Sequence, residues 1–202
     1  MTKIKLCGLR RLEDITYVNE AGPDFAGVIL AANPKFWRAI SDEQAQRLRD
    51  ALRPDIPLVG VFVNDDTDRI CRLLQQGTID IAQLHGSESP ETVQEIADRT
   101  GKPVWKAFQV KTPADVAAAI QTPAEYPLLD SGTGSGVSFD WSLVAGVERP
   151  FLLAGGLNPD NLAAAIAQVQ PWCVDISSGT ETDKVKDQAK IQRAVEIAHS
   201  LH

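Results

Sequence analysis

Short apolar runs alternate with amphipathic stretches along the whole chain. The runs fall at 3–7, 25–30, 58–63, 81–84, 104–110, 127–130, 151–154 and 173–176, lengths suited to buried strands. Between them apolar residues recur three and four apart, as at Ala45, Leu48 and Leu52, the spacing of one buried helix face. Helix starts are signalled by Ser41-Asp42-Glu43, Ser89-Pro90-Glu91 and Asn158-Pro159-Asp160, where a side-chain acceptor or a proline precedes the periodic stretch. A last helix is predicted over 187–201, with Ile191, Val195 and Ala198 on one face.

Eight strand-plus-helix units predict a parallel α/β fold. Eight is the count that closes a (β/α)8 TIM barrel, and units averaging about 25 residues suit a compact barrel better than a doubly wound open sheet. The sixth unit is weak: 131–138 is rich in Gly and Ser, and its helix is at most a turn or two around Trp141. Nothing in the composition marks a boundary, so one catalytic domain over 1–202 is expected.

Composition narrows the function classes. With 27 acidic and 20 basic residues the net charge is −7, which argues against a nucleic-acid partner or an acidic membrane surface. Cys7, Cys71 and Cys173 are odd in number and widely spaced, so neither a disulfide framework nor a CxxC metal site is readable. No apolar stretch approaches the roughly 20 residues of a membrane span, and the amino terminus lacks a secretory leader pattern. A cytoplasmic enzyme without a membrane partner is expected, and a monomer is compatible with the chain.

Barrel enzymes place their chemistry at the carboxyl ends of the strands. The clearest signal there is a pair of small-residue turns, Ala154-Gly155-Gly156-Leu157-Asn158-Pro159 and Ile176-Ser177-Ser178-Gly179. Together they form a candidate phosphate cradle of backbone N–H groups and helix dipole; the competing reading is two tight turns that use Gly for geometry alone. Cys7 ends the first strand, as a buried small hydrophobe or as a thiolate base with a lowered pKa. Asp130 ends the sixth, as an acid or as an anchor for the loop after it. Strands seven and eight lie between these two in a closed barrel, so an anchored phosphosugar would have Asp130 on one flank and Cys7 on the other. Arg38 is a solvated loop cation or a bidentate clamp for a substrate carboxylate, with Phe36 and Trp37 packing the loop or flanking an aromatic ring. His85 is a titrating group or a neutral hydrogen bonder; Asp175, inside strand eight, orients substrate or satisfies barrel-interior donors.

In order along the chain, Lys5-Leu6-Cys7-Gly8-Leu9, Val59-Gly60-Val61-Phe62-Val63-Asn64, Gln83-Leu84-His85-Gly86, Leu129-Asp130, Phe139-Asp140-Trp141, Gly155-Gly156-Leu157-Asn158-Pro159 and Val174-Asp175-Ile176-Ser177-Ser178-Gly179 resemble the phosphoribosylanthranilate isomerases of tryptophan biosynthesis. The resemblance runs from residue 3 to about residue 190. It implies a cofactor-free, metal-free Amadori rearrangement of a phosphosugar carrying anthranilate. Asp130 matches the general acid and Cys7 the general base. Arg38 matches the anthranilate-carboxylate contact, while Gly155, Gly156, Ser177, Ser178 and Gly179 match the phosphate site. The isomerase of histidine biosynthesis performs the same rearrangement with two aspartates, and here Cys7 stands at the first of those positions. Departures from the family pattern are Arg10 where Thr is common, Val137 where Lys is usual, and the aromatic pair Phe36-Trp37 before Arg38.

Overall fold

The computed structural model describes residues 1–30, 37–130 and 140–200. Eight parallel strands close into a barrel in sequence order: β1 (Lys3–Leu6), β2 (Phe25–Ile29), β3 (Leu58–Phe62), β4 (Ile81–Leu84), β5 (Val104–Gln109), β6 (Tyr126–Asp130), β7 (Leu152–Ala154) and β8 (Cys173–Ile176). Pairing of β1 with β8, from Lys3 opposite Cys173 to Leu6 opposite Ile176, completes the ring. The outer layer is α1 (Leu12–Ala21), α2 (Asp42–Ala51), α3 (Thr67–Gln76), α4 (Pro90–Thr100), α5 (Pro113–Ala119), α6 (Leu162–Val169) and α7 (Gln188–Ser200).

The capping signals act as expected at two helices. Ser41 accepts from the Gln44 N–H, and Ser89 accepts from the Thr92 N–H ahead of Pro90. Thr112 and Asp115 form a reciprocal capping box at α5. The third signal is displaced: α6 starts at Leu162 and its cap is Asn161. Asn158 instead builds the turn before it, its side chain accepting from the Asp160 N–H while its own N–H donates to Asn161 Oδ1. In the sixth unit the helix is a single 3-10 turn, Trp141–Leu143. Strand ends shift by one residue where the apolar run outlasts the ladder: Cys7, Leu30 and Val110 lie just past β1, β2 and β5. One element was not anticipated. After β8, a 3-10 turn (Ser178–Thr180) leads into an antiparallel hairpin of β9 (Glu181–Thr182) and β10 (Val185–Lys186). Its two-residue turn, Asp183-Lys184, has both φ angles positive, the backbone of a type I′ turn without its usual Gly.

Alternation along the strands separates two cores. Outward residues such as Ile4, Leu6, Val174 and Ile176 pack under the helices. Inside the barrel, Phe25, Val59, Ile81, Trp105, Leu128, Leu152 and Cys173 form a second apolar cluster. At the amino-terminal end Tyr126 and Trp172 stack at 3.9 Å, and the Trp105 ring stands edge-on to Phe25, Tyr126 and Trp172. Above this plug the interior turns polar with Lys5, Gln83 and Asp175, all buried. The barrel is therefore stratified, apolar and sealed below, polar above.

Trp105 is the largest fully buried side chain, and its indole N–H has no acceptor among the described residues. Trp105→Ala is expected to cost about 3–5 kcal/mol in unfolding free energy. Trp105→Phe should cost distinctly less, because it keeps the ring and removes an unpaired donor. Urea titration of the two variants checks the order; equal losses would mean that ring packing is not what this residue contributes.

Candidate active site

The carboxyl-terminal mouth of the barrel holds a cavity of about 230 Å³. Cys7, Arg38, His85, Asp130, Gly155, Gly156, Asp175, Ser177 and Ser178 all line it, so the strand ends singled out in the sequence converge on one space. Gly179 does not line it. A Cβ there would come within 1.9 Å of the Leu157 carbonyl oxygen and 2.9 Å of the Asn158 Cα. The turn after β8 thus rests directly on the turn after β7, a contact only Gly allows. Gly155 and Gly156 both have positive φ, and the Asn161 side-chain amide donates to the Gly156 carbonyl at 3.0 Å.

The floor of the cavity is electrostatic. Register places Lys5 beside Asp175 across the β1–β8 seam, and Lys5 Nζ donates to Asp175 Oδ2 at 2.9 Å with both side chains buried. Burial acts to lower the Lys5 pKa, but Asp175 and Cys7 together outweigh it and hold the ammonium charged. Gly27 of β2 makes room for this arrangement: a Cβ there would sit 3.1 Å from Lys5 Nζ and 3.2 Å from Cys7 Sγ. The second oxygen of Asp175 and the Gln83 side-chain oxygen are buried without a hydrogen-bond partner among the described residues. Both residues border the cavity, so each presents acceptor capacity suited to a hydroxyl-bearing ligand.

Of the two readings of Cys7, the ligand-free protein fits the buried thiol and not the lowered pKa. Burial pushes the thiol up, and the nearby Lys5 and Lys186 ammonium groups only partly offset burial and the negative charge of Asp175. His85 Nε2 lies 3.5 Å from Asp130 Oδ2, and its Nδ1 is 3.3 Å from the Gln83 amide nitrogen. With the amide so oriented it donates to Nδ1, which leaves the imidazole proton on Nε2, facing Asp130.

Arg38 is at the mouth, half-buried and paired rather than a free loop cation. Its Nε and Nη2 donate to the two Glu181 carboxylate oxygens at 2.9 and 2.8 Å, and its guanidinium lies 4.1 Å from the Trp37 ring centroid. Burial would raise the Glu181 pKa, but Arg38 and Lys186 hold the carboxyl below its ordinary range. The buried Lys186 donates to the Ser177 carbonyl at 2.7 Å. A cation therefore stands directly behind the second small-residue turn, although neither turn contains one. Burial lowers the Lys186 pKa more than Glu181 raises it.

The Arg10 and Trp37 departures belong together. The Arg10 guanidinium lies 4.7 Å from the Trp37 ring centroid and donates to the Lys184 carbonyl at 3.3 Å. Phe36 and Val137, also noted as departures, lie outside the described residues. Lys5 and Gln83 stand in the motifs without a site role of their own, and Glu181 and Lys186 carry no sequence signal. For Lys5 a signal existed, a lysine two positions before Cys7 inside an apolar strand; the hairpin that delivers Glu181 and Lys186 has no glycine in its turn. Among the described residues no group of three or more His, Cys, Asp or Glu is placed to hold a metal ion, and no helix is long and apolar enough to cross a membrane.

Solved structures share this architecture over their full length. A phosphoribosyl anthranilate isomerase from Thermotoga maritima superposes with a TM-score of 0.90 at 37% identity, covering 100% of both chains. A phosphoribosyl anthranilate isomerase in complex with reduced 1-(o-carboxyphenylamino)-1-deoxyribulose 5-phosphate gives 0.88 at 36%, again covering 100% of both. An N-(5'-phosphoribosyl)anthranilate isomerase of Endomicrobium trichonymphae is 46% identical over 206 residues, covering 100% of each chain. The family model for N-(5'phosphoribosyl)anthranilate (PRA) isomerase matches residues 4–197. By sequence, fold and the site those residues build, the chain belongs to the N-(5'-phosphoribosyl)anthranilate isomerase family.

Proposed function

We propose that the chain, acting as one catalytic domain, converts N-(5'-phosphoribosyl)anthranilate to 1-(2-carboxyphenylamino)-1-deoxyribulose 5-phosphate, as an intramolecular aldose–ketose isomerase. The observation that carries this reading is the facing of Cys7 and Asp130 across one cavity, with the turns after β7 and β8 between them. A phosphate seated on those turns would place the sugar within reach of both groups.

In this mechanism Asp130 donates its proton to the furanose ring oxygen. The anilino nitrogen lone pair forms the C1–N double bond as the C1–O bond breaks, giving an open-chain protonated Schiff base. Cys7 as thiolate takes the C2 proton, and the C2–H electron pair neutralises the iminium to an enolamine. Loss of the enol proton and protonation of C1 complete the ketone. Solvent returns a proton to Asp130 and removes one from Cys7. The iminium is the electron sink throughout, so the proton transfers are the chemistry the side chains supply. His85 would donate to the Asp130 carboxylate after it has given up its proton, and the unpartnered Asp175 oxygen would accept from a sugar hydroxyl. Arg38 would hold the anthranilate carboxylate. A cytoplasmic location fits this reaction.

Isomerisation of freshly generated substrate, followed by loss of anthranilate fluorescence with a chelator present, tests the activity. Cys7→Ala and Asp130→Asn should each lower kcat by roughly 10²-fold or more; near-normal turnover in either variant removes that residue from the mechanism. Gly179→Ala forces apart the two turns it joins and should raise KM by roughly tenfold, the worth of a hydrogen bond to phosphate. An unchanged KM would place the phosphate elsewhere. Because burial holds the Cys7 thiol above its ordinary 9.0, alkylation of the ligand-free protein by iodoacetamide, corrected with Cys7→Ala, should keep climbing with pH through and past that value. A plateau reached near neutrality would show instead that the thiolate is already formed.

A further inference from the structure

An arginine can serve a carboxylate well only if one flat edge of its fork is aimed at it. Left to solvent, a long side chain at a loop end samples many rotamers, and ordering it at binding costs affinity. Arg38 has been taken out of that regime. Glu181 occupies the Nε–Nη2 edge with both oxygens, and its carboxylate is 7% exposed against 22% for the Arg38 side chain. Trp37, itself 43% exposed, covers the guanidinium plane. One edge and the plane are thereby committed. The remaining Nη1 edge has no protein partner among the described residues, and Arg38 borders the cavity.

Glu181 is in turn fixed from behind. Lys186 on the facing strand of the hairpin contacts Glu181 Oε1 at 3.3 Å, and Lys190 donates to the Glu181 carbonyl at 2.7 Å. Arg10 ties the Trp37 carbonyl to the Lys184 carbonyl, so the loops after β1 and β2 and the hairpin after β8 meet around one indole. Gly8 contributes clearance, since a Cβ there would lie 3.0 Å from Arg38 Cδ. We infer that Glu181, with Trp37 as its platform, is the positioning residue that presents the Nη1–Nη2 edge of Arg38 to the substrate carboxylate, and so sets selectivity for a carboxylate-bearing aromatic amine over its unsubstituted counterpart.

The inference rests on the reading of Arg38 as the carboxylate contact, and the opposite role for Glu181 makes the opposite prediction. If Glu181 were an internal competitor for Arg38, removing its charge would tighten binding of a carboxylate ligand. If it positions Arg38, removal weakens that binding and no other.

Two ligands separate these outcomes: reduced 1-(o-carboxyphenylamino)-1-deoxyribulose 5-phosphate, and the same compound made from aniline, which lacks the carboxylate. Glu181→Gln should raise Kd for the first by about tenfold and shift the second by no more than about twofold, the size of one charge-assisted hydrogen bond. Trp37→Leu, which disturbs no buried pair, should shift Kd in the same sense by roughly threefold and keeps the test available should Glu181→Gln fold poorly. In an Arg38→Met background neither change should matter further. Tighter binding in Glu181→Gln, or equal loss for both ligands, overturns the positioning role. An Arg38→Met variant that still prefers the carboxylate ligand as the parent does would sink the carboxylate reading itself, and the positioning role with it.

Discussion

The ion pair between Lys5 and Asp175 is the constraint on which the upper half of this barrel depends. The two residues are ladder neighbours on the strand pair that completes the ring, both point inward, and both are buried. A buried pair of this kind gains little over an apolar pair of the same shape, yet breaking it by removing one partner costs about 3–5 kcal/mol. It therefore penalises any slip of β1 against β8 more than apolar contacts would, since a one-residue slip would turn one charge out among the helices and leave the other buried alone. The pair also sets the field at Cys7. Burial raises the Cys7 pKa, and Asp175 offsets part of the Lys5 charge that would lower it. In the proposed mechanism the thiolate would form after substrate binds, favoured for instance by a sugar hydroxyl donating to the open Asp175 oxygen.

Much of the architecture was legible in the residue pattern, because strand and helix periodicities are local properties. Ser41 and Ser89 cap the helices they announce, and the weak sixth unit is a 3-10 turn at Trp141. The misplacements have local causes as well. Asn158-Pro159-Asp160 reads as a helix start, but the Asn158 side chain is spent on the turn itself and the helix waits for Asn161. The β9–β10 hairpin was invisible because Asp183 and Lys184 take positive φ without Gly or Asn to signal it.

The site was legible to a different depth. Residues at strand ends follow from barrel topology, and Cys7, His85, Asp130, Asp175 and the two turns all reached the cavity. What the sequence withholds is pairing across large separations: Arg38 with Glu181 lies 143 residues apart and Lys5 with Asp175 170 apart. No local pattern states which cation a distant carboxylate will meet. The departures at Arg10 and Trp37 looked independent in the sequence and prove to be one contact.

The distribution of these groups around the ring has a consequence for assembly. Cys7 and Arg38 arise from the first two units, whereas Asp130, both small-residue turns and Glu181 arise from the last three. Neither half of the chain carries both Cys7 and Asp130, and the grip on Arg38 spans the β1–β8 seam. A partly assembled barrel whose carboxyl-terminal units had already docked would carry Asp130 and both turns but neither Cys7 nor Arg38. The cavity as a whole is consequently a property of closure: only where β1 pairs with β8 do Cys7 and Arg38 meet Asp130, the two turns and Glu181.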